Sequence, residues 1–147
     1  MNKALIKNVL VTDAGWAPIV LRLAAGVIFA AHGAQKLFGW FGGHGLEGTA
    51  GWMASIGLEP GMLMALLAGG AEFFGGLALI VGVLVRPAAM ALAFTMVVAI
   101  FAVHFEYGLF IANNGYEFAL SLLAVSVALV FSGAGKLSLD TWLSEKI

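Results

Sequence analysis

Cysteine is absent from the 147 residues of this chain. That excludes a disulfide framework, a thiol redox motif and a thiolate metal site. Charge is scarce as well: Asp, Glu, Lys and Arg make up 10% of the residues, against roughly 25% in a soluble domain. The formal net charge of −1 offers no basic face to a nucleic acid, so no nucleic-acid partner is expected. What fills the chain is apolar, 62% of all residues. This is the composition of an integral membrane protein whose main partner is the lipid bilayer.

The apolar residues fall into four runs. They predict spans at about 18–38, 61–85, 88–105 and 116–131, in a single transmembrane domain over 1–147. The fold class expected is all-α, a membrane-embedded up-down four-helix bundle with short interfacial helices. Leu5, Ile6, Val9 and Leu10 with Lys3 and Lys7 form an amphipathic pattern before the first span. Leu139, Trp142 and Leu143 form another after the last. Arg22 interrupts the first apolar run and no cleavage pattern follows, so that run reads as an uncleaved span and not a signal peptide. The Gly-rich stretch from Gly39 to Pro60, with Trp40, Phe41 and Trp52, reads as an interfacial loop. Arg86-Pro87 reads as a tight turn, and Asn113-Asn114-Gly115 as another. Lys3, Lys7, Arg86, Lys136 and Lys146 fall on one side, which places both termini in the cytoplasm of a multi-pass inner-membrane protein.

The few ionisable residues carry the functional reading. At about 3.6 residues per turn, Arg22, Gly26, Phe29, Gly33 and Lys36 share one helix face, with His32 a turn below Lys36. Arg or Lys at the bilayer centre costs on the order of 3 kcal/mol even on lenient scales. That stripe must face other helices, and an acidic group is expected to meet it. Glu72 sits in AGGAEFFGGLAL, between Gly69 and Gly76 on its own face, where another backbone can come close. His104 ends the third span on the outer side and Glu117 opens the fourth there. The candidate binding residues are therefore Arg22, His32, Lys36, Glu72, His104 and Glu117, with no catalytic residue assigned and no metal site.

Each has a plainer reading beside the functional one. Glu72 paired with Lys36 or Arg22 would fix helix packing, whereas a carboxylate in low dielectric could exchange a proton. His32 and His104 could be hydrogen-bonded rim histidines, contacts to a quinone head, or axial ligands of a haem. Two histidines without a cofactor motif are thin support for haem. His44 reads as a loop residue. Gly133-Ala134-Gly135-Lys136 fails as a phosphate loop, because Val130 stands where the first glycine belongs and Leu137 where Ser or Thr should be.

The patterns RLxxGxxFxxHGxQKLF from Arg22 to Phe38, ExxGGLxLxxG from Glu72 to Gly82, the His104 and Glu117 pair, and GxGxxSLD from Gly133 to Asp140 resemble the DoxX family. The resemblance implies a four-helix inner-membrane protein. Relatives are associated with membrane redox assemblies, among them a subunit of a thiosulfate:quinone oxidoreductase and a membrane partner of superoxide dismutase and a sulfurtransferase. The expectation drawn is a redox-associated membrane subunit with a quinone-sized pocket, contacted by His32, Glu72 and His104, with Arg22 and Lys36 as counter-charges. A small proton-linked transporter and a scaffold docking soluble redox proteins stand as alternatives. A soluble or membrane redox partner and a homo-oligomer are both left open.

Overall fold

The computed structural model describes residues 3–146. The side chains of Lys3, Leu5 and Lys7, on which part of the amphipathic and basic patterns rests, lie outside the described ones. Among the described residues seven α-helices follow one another: α1 (Lys3–Leu10), α2 (Ala17–Phe38), α3 (Gly45–Ser55), α4 (Gly61–Val81), α5 (Val85–Ala99), α6 (Glu117–Ser132) and α7 (Leu139–Ser144). No strand occurs among the described residues.

Three helical stretches are long and apolar enough to cross a membrane: Ala17–Phe38, Gly61–Val81 and Val85–Tyr107. The third joins α5 to a π-helical turn (Ile100–His104) and a 3-10 turn (Phe105–Tyr107). Helix α6 is apolar but has only 16 residues, about 24 Å of rise against a hydrocarbon core of roughly 30 Å.

Helices α2, α4, α5 and α6 enclose one apolar core. It contains Phe29 from α2, Leu79 from α4, Leu92, Met96 and Ile100 along α5 and its π-helical turn, and Leu122 and Leu129 from α6. Helix α2 packs most extensively on α4 and only lightly on α6. Glycine explains the first of these seams. A Cβ on Gly33 would run into the backbone of Phe73, and one on Gly76 into the backbone of Ala30 and Gly26. The two helices approach backbone to backbone, which only glycine permits. A smaller cluster, Ala50, Met53 and Ala65, fastens α3 to α4.

Two local readings of the sequence are corrected. Arg86-Pro87 is not the turn: the chain reverses at Gly82 and Leu84, both at positive φ, and Pro87 sits in the first turn of α5. Proline is pre-organised for that position, where its missing N–H has no intrahelical partner. The expected span 61–85 therefore ends at Val81. The stretch 39–60 is not all loop, since it holds helix α3 packed against α4.

Candidate functional site

Where α2, α4, α5 and α6 surround the upper core, they leave a cavity of about 250 Å3. Phe29, Met96, Ala99, Ala119 and Leu122 form apolar wall, while His32, Lys36, Glu72 and His104 supply polar groups. Four residues picked out in the sequence thus meet at one hollow.

Lys36, in the last turn of α2, makes a 2.5 Å ion pair with Oε2 of Glu72. The Glu72 side chain is 5% exposed and that of Lys36 24% exposed, so the pair runs from the bundle interior towards its rim. Among the described residues no hydrogen bond reaches Oε1 of Glu72, leaving an acceptor on a residue that borders the cavity. His104 is set by the π-helical turn, in which the backbone winds wider than an α-helix. Its Nδ1 lies 2.8 Å from the carbonyl of Asn114. A carbonyl only accepts, so Nδ1 carries the hydrogen and Nε2 of the neutral ring is left as an acceptor. His32 is exposed and stands beside Phe118, their ring centroids 6.0 Å apart.

Glu117 does not line the cavity. Its Oε1 accepts from the N–H of Ile111 at 2.6 Å, and this ties the segment before α6 to the helix start. That segment supplies Ile111 and Gly115 to the cavity wall, so Glu117 shapes the site from behind.

Arg22 stands apart from the other five, and it is not the counter-charge to Glu72. It is 2% exposed at the opposite end of α2. Nε donates to the carbonyl of Leu79 at 2.9 Å, Nη1 to that of Ala134, and Nη2 to that of Leu137 at 3.3 Å. Leu79 lies in the last turn of α4, whose carbonyls have no intrahelical donor and carry the negative end of the helix dipole. Buried Arg22 thus gives its hydrogen bonds to carbonyl oxygens, and the acid near it is Asp140, which the sequence did not single out for that role.

A second polar cluster surrounds it. Asp140 is 1% exposed, and its two oxygens accept from the N–H groups of Leu84 and Val85 at 2.7 and 2.9 Å. Burial pushes its carboxyl above the ordinary carboxylate range, opposed by those two amides and by the charges of Arg22 and Arg86. Arg86 donates to the carbonyls of Val130, Phe131 and Val11. Thr12 Oγ1 donates to Ser132 and accepts from Gly135 N–H. The GxGxxSLD stretch is thus a clasp joining the last segment to the α4–α5 turn. Spacing alone gives Asp140 of that motif no role, because its place beside a turn with two positive-φ residues is set by the fold.

The DoxX family model matches residues 17–105, a stretch holding His32, Lys36, Glu72 and His104. An uncharacterized protein of Haemophilus influenzae is 37% identical over 79 residues, covering 54% of this chain and 52% of that one. The chain thus spans about half the length of this relative. No solved structure matches. With the family's match running over well more than half its length, the chain belongs to the DoxX family.

Proposed function

We propose that this protein is a redox-associated subunit of the cytoplasmic membrane that binds the head of a quinone in the cavity between α2, α4, α5 and α6. The observation carrying this reading is the convergence of His32, Glu72 and His104, from three different segments, on one largely apolar hollow. Small-molecule sites have this character, with apolar walls for the ring and a few polar groups to orient it. A quinone presents two carbonyl oxygens and its reduced form two hydroxyls. The uncommitted Nε2 of His104 and Oε1 of Glu72 suit the hydroxyls as acceptors, and the ring N–H of His32 suits a carbonyl as donor. Lys36 holds the Glu72 charge inside the bundle. With no cysteine in the chain, any thiol chemistry falls to a partner protein.

In this reading all four apolar helices cross the bilayer, up and down, with both termini in the cytoplasm. The shortness of α6 is offset by the segment before it, where Leu109, Phe110 and Ile111 are exposed and extend the apolar height. Solvent extraction of the purified protein tests the function. A quinone is expected in the extract of the parent and is expected to be lost from His32→Ala, with helical content unchanged. No quinone in the parent extract overturns the reading, and a Soret band in its optical spectrum would replace quinone with haem.

A further inference from the structure

A cavity of about 250 Å3 falls below the roughly 300–1,000 Å3 of sites that enclose drug-sized ligands. It can take a substituted ring and cannot also take a long tail. Whatever ring enters must therefore leave its tail outside, through an opening wide enough for a chain.

The seams between helices are not equal in this respect. Between α2 and α4 the backbones touch at Gly33 and Gly76, which leaves no passage. Between α4 and α5 the side chain of Leu92, fully buried, fills the seam at Gly75 one turn from the cavity, and the outer groove at this seam, lined by Met53, Ala71 and Thr95, shares no residue with the cavity. Helices α5 and α6 are joined by the main core. The α2–α6 seam is the most lightly packed of the four. Two residues that border the cavity are also exposed on the outside of the molecule at this seam: His32 of α2, and Phe118 of α6 at 41%. Four residues before His32 on the same face stands Ile28, and seven residues after Phe118 on the same face stands Val125, both apolar and half-buried. An imidazole at that depth and open to acyl chains is unfavourable, and polar groups in spans ordinarily turn inward. Its placement at the threshold has a use if a polar ring must pass it.

We infer that the cavity is loaded sideways from the bilayer through the α2–α6 seam, with His32 and Phe118 as gateposts, and that its ligand is a lipid-dissolved ring compound whose tail stays among the acyl chains. This rests on the quinone reading above and adds the route and the tail. Phe118 acts as the movable post, an apolar ring on the second residue of a helix. His32 gives the entering carbonyl its first polar contact.

The test uses the full chain in nanodiscs with a fluorine-tagged decyl benzoquinone, whose bound fraction and exchange rate are read from fluorine NMR line shapes. Phe118→Ala should raise the exchange rate about fivefold and Phe118→Trp should lower it about fivefold, a modest change in barrier. The bound fraction is read for each variant in the same spectra, so that a changed barrier is told from a changed seat. Either variant alone decides the sign if the other fails to reconstitute. Parent-like exchange in the variants with binding intact overturns the lateral route and spares the quinone reading. No binding by the parent overturns that reading, and the route falls with it.

Discussion

Gly33 and Gly70 are both glycines on buried-span helices, yet an added methyl meets different surroundings at each. At Gly33 it strikes the Phe73 backbone, and at Gly70 it meets nothing within 4 Å. Gly33→Ala must push α2 off α4 and should cost about 1–3 kcal/mol, as overpacking does. Gly70→Ala should be neutral or stabilising by about 0.5–1 kcal/mol, since alanine is the better helix former. Thermal unfolding in detergent, followed by circular dichroism, should order the two variants on opposite sides of the parent. At Glu72 the consequence is electrostatic. Glu72→Ala leaves Lys36 facing a hollow without its partner, and the loss should be about 3 kcal/mol, the low end for a broken buried pair because the lysine is partly exposed. Glu72→Gln keeps the shape and an acceptor, so it should melt between that variant and the parent. Equal melting of all three would show that the pair does not hold α2 to α4. The sequence made this pair legible, because a lysine on an apolar helix needs an acid and Glu72 offered one at the right depth. It could not do the same for Arg22, whose hydrogen bonds go to carbonyl oxygens that every residue carries and whose neighbouring acid, Asp140, comes from the last helix and not from a span.

Among the elements, the turn between α4 and α5 is the one held from outside. Leu84 has a φ of 48°, a conformation that non-glycine residues seldom adopt, and the N–H groups of Leu84 and Val85 both end on Asp140. Asp140→Ala removes both acceptors from a buried position and should cost about 2–3 kcal/mol. Asp140→Asn retains one acceptor and should cost roughly half of that. Urea or thermal unfolding in detergent can measure both; parent-like stability of Asp140→Ala would show that the clasp is dispensable. The helices themselves were legible to within a few residues, because runs of apolar residues leave little choice of structure. Helix α3 was not, since its glycines and lack of a periodic apolar face look like loop and its packing on α4 decides the matter. The Arg86-Pro87 dipeptide misled for a similar reason: proline marks both turns and helix starts, and here Gly82 had already turned the chain.

At the scale of the molecule, short helices α1 and α7 touch each other, at the end of the bundle where the α4–α5 turn is clasped. The basic residues Arg86, Lys136 and Lys146 belong to that end, so the positive-inside rule predicts the cytoplasmic side for it, as the proposed topology requires. Reporters fused after Lys146 should read cytoplasm and one inserted near Gly43 should read periplasm. A periplasmic signal at the C-terminus would reverse the orientation or remove α6 from the spans. The cavity was foreseeable in outline, as charged groups at one depth on several helices must share an interior. Its asymmetry between seams was not, because glycine contact and the loose α2–α6 pairing depend on how the helices rotate about their own axes.

The π-helical turn at Ile100–His104 can also be read as arithmetic. A π turn carries one residue more than the α turn it replaces, so this stretch holds a surplus residue. Removing Ala102 would let that turn close to an ordinary α turn, and the loss of the surplus residue would leave everything after it close to its present face. His104 would stay near the cavity, and the expected result is a folded, membrane-inserted protein that keeps its ligand. Removing Ala31 from α2 draws on no such surplus: it would rotate His32 and Lys36 by about 100° relative to the residues before and part Lys36 from Glu72. The two deletions remove the same residue type, yet only the second should lose the ligand and lower the melting temperature. Between relatives, a gap of one residue at the π turn would separate chains that still share the hollow.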